Sequence, residues 1–137
     1  MERDKKKYLE TIEAYAQIIK NLPSMLDNAD ETFLEISNKM GISFSALSNK
    51  KHGRRDWKIE EIGKLVQIIG NVKQREIVKN YVFIVNDIFP IIRENGIQFK
   101  FIFEKAGMNI GNYQVRSKNI ATWQVSEVRE IIGILKF

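Results

Sequence analysis

The chain has 137 residues, a net charge of +5 and a pI of about 9.4, enough length for one ordinary domain or two very small ones. Its composition, 44% hydrophobic and 28% charged, is that of a globular protein and excludes wholesale disorder. With no cysteine and His52 as the single histidine, a disulfide framework, a zinc–thiolate centre, a thiol nucleophile and any site needing two imidazoles are excluded. No apolar run approaches the roughly 20 residues of a membrane span, and the basic start Lys5-Lys6-Lys7 has no apolar core behind it, unlike a signal peptide. A cytoplasmic protein without a membrane partner is expected.

Taken in order, the elements read as helices. Tyr8, Leu9, Ile12, Tyr15, Ala16, Ile18 and Ile19 form a stripe of period near 3.6, and Pro23 with the polar run 27–30 is expected to end that helix. Thr32 with Glu35 three residues on has the form of a capping box. It opens a short helix that Gly41 closes with a left-handed turn. Ser43 caps a third helix through Lys51, Gly53 closes it, and Ile59, Ile62, Leu65, Val66 and Ile69 mark a fourth. Four more helices follow near 74–89, 99–106, 110–115 and 125–135, with Pro90 expected just past the end of the long one.

This order is a repetition. Shifting the chain by 66 positions without a gap puts Tyr15 on Tyr81, Phe33 on Phe99, Ile36 on Ile102 and Lys39-x-Gly41 on Lys105-x-Gly107. It also puts Trp57 on Trp123, the only two tryptophans, and Glu61 on Glu127. The matches are mostly apolar, Gly and Trp, the positions that fix packing. The expected architecture is all-α, with two tandem four-helix units, 1–71 and 72–137. The junction Ile69-Gly70-Asn71-Val72 has no flexible linker, so the units are expected to pack together.

The segment from Phe33 to Arg55 resembles the helix-turn-helix of the Cro/lambda-repressor type. Ser37 stands where the two helices cross, Gly41 at the turn, Ile42 and Leu47 inward, and Ser43 at the cap of the second helix. Gly53-Arg54-Arg55 matches the family's basic loop, and 59–69 the helix after it. The resemblance implies that Ser43, Phe44, Ser45, Ala46, Ser48 and Asn49 face the major groove of double-stranded DNA. Asn49 would be the adenine reader, with Lys50, Lys51, Arg54 and Arg55 on or near phosphate. Two residues depart from the family. Phe44 replaces a frequent Gln, suiting either a thymine methyl or a protein contact. Lys50 replaces an apolar residue, and Arg116 does so in the second copy, which suggests a buried stem with the charged head reaching outward.

The second copy is degenerate. Phe103 fills the tight position of Ser37 and should splay the helices, and the loop 117–120 lacks Gly-Arg-Arg. Asn109, Asn112, Arg116 and Lys118 are its candidate DNA contacts; its other reading is a structural partner. The copies carry +1 and +4, but residues 50–58 hold five bases against one acid, behind the recognition helix. His52 reads as a surface residue near phosphate, and Lys5-Lys6-Lys7 as a solvated helix start. Trp57 and Trp123, each just before an amphipathic helix, read as packing anchors in preference to stacking platforms for single strands.

No Gly-rich phosphate loop, Ser/His/Asp set or carboxylate cluster with metal spacing is present. No enzyme, metal, cofactor or small-molecule substrate is expected. The function the resemblance implies is sequence-specific binding of double-stranded DNA by a small transcriptional regulator of phage or mobile-element type. Dimerisation is the usual route to two half-sites, supplied by a homodimer or internally by the duplicate. The alternative is a protein–protein interaction module, an adaptor or anti-repressor, on the same scaffold without DNA binding.

Overall fold

A computed structural model of the chain describes residues 3–108 and 123–137. Among them every regular element is an α-helix, so the fold is all-α: α1 Lys5–Asp27, α2 Phe33–Met40, α3 Phe44–Lys51, α4 Ile59–Ile69, α5 Val72–Glu94, α6 Phe99–Lys105 and α7 Val125–Ile134. The helix expected over 110–115 lies outside the described residues.

Helix α1 stops at Asp27, the first residue of the polar run, whereas α5 overruns its expected end at 89. Pro23 lies inside α1 and Pro90 inside α5, where each was expected to stop or follow the helix. A proline in a helix interior costs about 3 kcal/mol, because it removes an amide donor and crowds the carbonyl four residues back. The apolar stripe beyond it offsets that cost. Leu26 after Pro23, and Ile91 and Ile92 after Pro90, are buried, each contributing about 1.5–3 kcal/mol.

Two compact units form, one from Tyr15–Lys79 and the other from Met1–Ala14 with Asn80–Phe137. Their boundaries are not those of the repeat. Helix α1 divides between Ala14 and Tyr15, and α5 between Lys79 and Asn80, one residue from the place to which the 66-residue shift would carry the first division. Each sequence copy thus lends the start of its long helix to the unit that holds the other copy's short helices.

In the unit 15–79 the core is Tyr15, Ile18, Leu22, Ile36, Leu47, Ile62, Leu65 and Val66. Its helix starts are capped by side chains. Glu35 N donates to Thr32 Oγ1 at 3.1 Å, and Thr32 N to Glu35 Oε1 at 3.4 Å, the expected box. Lys58 N donates to Glu61 Oε1 at 2.9 Å to open α4. At the start of α5, Asn71 and Gln74 exchange reciprocal bonds of 2.8 and 2.9 Å.

In the other unit the core is Tyr8, Ile12, Tyr81, Ile84, Ile88, Ile102, Phe103, Trp123 and Ile131. Residues at the start of the chain fasten it. Arg3 forks onto both oxygens of Asp87 at 2.9 Å, and the Tyr8 hydroxyl donates to Asp87 Oδ2 at 2.8 Å. Asp87 loses hydration on burial, but the bonds from Arg3 and Tyr8 outweigh that loss and hold its carboxyl below the usual carboxylate range. Lys5 is not the solvated residue expected: its Nζ donates to the carbonyls of Gly133 and Leu135, each at 2.8 Å, placing a cation at the negative end of α7. Lys6 and Lys7 are exposed.

Candidate nucleic-acid interface

The α2–α3 turn is fixed by one glycine. Gly41 adopts φ +73°, its amide donates to Asn38 O at 3.1 Å, and the Ile42 amide donates to Ser37 O at 3.1 Å. That pair of bonds satisfies the last carbonyls of α2 and requires a left-handed residue. Ser37, fully buried, donates its hydroxyl to Leu34 O at 2.8 Å, so no polar atom is stranded under the crossing. Ser43 then opens α3 by accepting the Ala46 amide at 3.0 Å. Ile36 and Leu47, both wholly buried, anchor α2 and α3. The outward side of α3 therefore carries Phe44 and Ser45, both exposed, with Ala46, Ser48 and Asn49 half-buried.

The loop after α3 folds back on that helix. Arg54 and Arg55 amides donate to the Asn49 carbonyl at 2.8 and 3.3 Å, and Arg54 Nη1 donates to Asn49 Oδ1 at 3.1 Å. His52 Nδ1 donates to Ser48 O at 2.8 Å and closes the helix end. Gly53, at φ +73°, turns the chain into Arg54, Arg55, Asp56 and Lys58, all exposed. The structure thus brings together Asn49, Arg54 and Arg55 from the expected set, and joins a proposed base reader to a proposed phosphate contact.

Two of the expected lysines are engaged elsewhere. The Lys50 head does not reach outward. It is 8% exposed and bonds Glu61 Oε1 at 2.9 Å and Asp56 O at 3.2 Å. A buried ammonium needs such a partner, and Glu61 was available because it already faces the start of α4. The signal was present in the sequence: a base at 50 and 116 together with Glu at 61 and 127 repeats the pair in both copies. Lys51 pairs with Asp27 at 2.5 Å and lies over the Phe33 ring at 5.7 Å. Phe33 in turn meets Phe44 edge to face, with centroids 4.8 Å apart. Sequence reasoning missed Phe33, Asp27 and Glu61 as supports of this face.

Gly107 repeats the turn of Gly41 in the second copy, with φ +78° and bonds of 3.0 Å to Glu104 O from its own amide and 2.7 Å to Phe103 O from Met108. Asn109, Asn112, Arg116 and Lys118 lie outside the described residues. The tryptophans are not equivalent. Trp123 is buried, with centroids 6.0 Å from both Phe89 and Phe103, whereas Trp57 is half-buried. Among the described residues, no helix is long and apolar enough to cross a membrane. Compared with family models, curated proteins and solved structures, the chain matches none.

Proposed function

We propose that the chain is a helix-turn-helix protein of the Cro/lambda-repressor class that binds double-stranded DNA through α3, and that it serves as a small transcriptional regulator. The observation that carries this reading is the α3 surface: a capped helix held by the Gly41 turn, with Ser45 and Asn49 outward and exposed Arg54, Arg55 and Lys58 beside its C-terminal end. Basic residues there neutralise phosphate and release counterions, while the helix beside them reaches base edges. Lys50 and Lys51 act as structural cations, tied to Glu61 and Asp27. Asn49 reads a base only as its contact with Arg54 is exchanged, so the two act as one unit.

Selecting bound sequences from a random duplex pool, then competing the winner against unrelated duplex, tests this reading. Enrichment of a preferred site is expected, with Asn49→Ala weakening that site by about 1–3 kcal/mol while leaving unrelated duplex nearly unchanged. No affinity for any duplex at low salt would overturn it. Leu34 and Phe44, both more than half exposed, favour a second reading, a protein-binding module on the same scaffold. That reading requires the absence of duplex binding.

A further inference from the structure

Resting on the reading that α3 enters a major groove, we infer that Phe44 recognises the C5-methyl group of a pyrimidine, so that the preferred site carries thymine, or 5-methylcytosine, beneath the first turn of α3. A major groove offers hydrogen-bonding edges and one apolar feature, the pyrimidine methyl. The hydrogen-bonding set on α3 is thin. From 43 to 49 there is no Arg, Lys, Gln or Glu. The Ser43 hydroxyl oxygen accepts the Ala46 amide, and Asn49 Oδ1 accepts from Arg54.

Phe44 stands at the first position of the helix, 53% exposed. Its ring is braced edge to face by Phe33, which lies under the Lys51 ammonium held by Asp27. A braced ring loses little rotamer freedom on binding. Its chain neighbours Ser43 and Ser45 are polar and exposed, and the basic loop with exposed Arg54 and Arg55 follows the same helix, which suits the polyanionic groove of a duplex.

The test uses the full chain and a duplex selected from a random pool, titrated at fixed salt. Deoxyuridine in place of each thymine removes only the methyl. Burying one such group is worth about a fourfold change in affinity, so a loss of about that size is expected at one or two positions. Cytosine placed there should regain affinity when it is 5-methylated. Phe44→Ser should bind the thymine and uridine duplexes equally, with an unchanged salt dependence and a fold retained at a slightly lower Tm because the Phe33 contact is lost, while Phe44→Leu should keep part of the discrimination. Equal binding of both duplexes by the unmodified protein would overturn this inference alone. So would undiminished discrimination by Phe44→Ser, since another residue would then read the methyl. No binding to any duplex would overturn both this inference and the DNA-binding function.

Discussion

At residues 37–42 and at residues 103–108 the chain makes one turn twice around different side chains. The bonds are the same, from Gly41 to Asn38 O and Ile42 to Ser37 O in one, from Gly107 to Glu104 O and Met108 to Phe103 O in the other. Helices α4 and α7 also open alike, with the amides of Lys58 and Gln124 donating to Glu61 and Glu127 at 2.9 and 3.0 Å. Inside the turn, Ser37 bonds back to Leu34, whereas Phe103 joins a cluster with Phe89 and Trp123. Turn and cap geometry depends on a few residue types, such as Gly and Glu, which recur in both segments. Packing beneath the turn tolerates larger change. One copy has filled that space with aromatic rings, and the other presents an exposed face of α3 and a basic loop.

The aromatic cluster should mark the largest energetic difference between the two regions. Trp123→Ala or Phe103→Ala should cost about 3–5 kcal/mol in urea denaturation, whereas half-buried Trp57→Ala should cost about 1 kcal/mol. Equal losses at the two tryptophans would restore the equivalence the repeat suggests. Next comes the Lys50–Glu61 pair of the α3 side. Glu61→Gln keeps an acceptor for the Lys58 amide but leaves Lys50 uncompensated, and should cost about 3 kcal/mol. Lys50→Met, which returns an apolar residue to that position, should stay within about 1 kcal/mol of the unmodified protein. Glu61→Gln without effect would show that the pair contributes nothing.

The Asp87 clamp belongs to the other unit; position 21, its repeat equivalent, is Asn. Because the folded carboxyl titrates below its unfolded value, its stabilisation is complete above the ordinary carboxylate range. It is lost as pH falls through the lower folded value. Asp87→Asn should lower stability at neutral pH by about 1–3 kcal/mol, since it weakens the bond to the buried Tyr8 hydroxyl. It should also flatten the fall of Tm in acid; an unchanged acid limb would contradict the assignment. The smallest effect should be the shared one. Gly41→Ala and Gly107→Ala meet no neighbouring atom within 4 Å, so each carries only the left-handed backbone cost of about 1 kcal/mol. A clear inequality would show that the two turns are not equivalent.

Periodicity and capping residues were enough to place α2, α3 and α4, because Thr32, Gly41, Ser43 and Gly53 are local signals whose partners lie within five residues. The end of α1 at the polar run was legible, but its passage through Pro23 and the end of α5 beyond Pro90 were not. Pro23 and Pro90 are local stop signals, and burial of Leu26, Ile91 and Ile92, which no local signal announces, overrides them. The division of each long helix between two units was hidden for the same reason, since nothing in residues 1–14 names Asp87 or Gly133 as a partner. At the candidate site the outward set on α3 came from the resemblance; of it Ser43, Phe44 and Ser45 are exposed, and Ala46, Ser48 and Asn49 are half-buried. The engagement of Lys50 and Lys51 was not legible, because a lysine reads alike whether solvated or paired; only the recurrence of the 50/61 pair at 116/127 carried a hint.

The DNA-binding claim is tested most directly by the salt dependence of duplex affinity, measured by fluorescence anisotropy for the unmodified protein and for the Arg54→Ala, Arg55→Ala double variant. A straight fall of log affinity with log salt is expected. The double variant should bind every duplex more weakly, with a slope shallower by about two units, one for each phosphate that is no longer neutralised. No affinity at low salt, or a slope that the two substitutions leave unchanged, would contradict the claim.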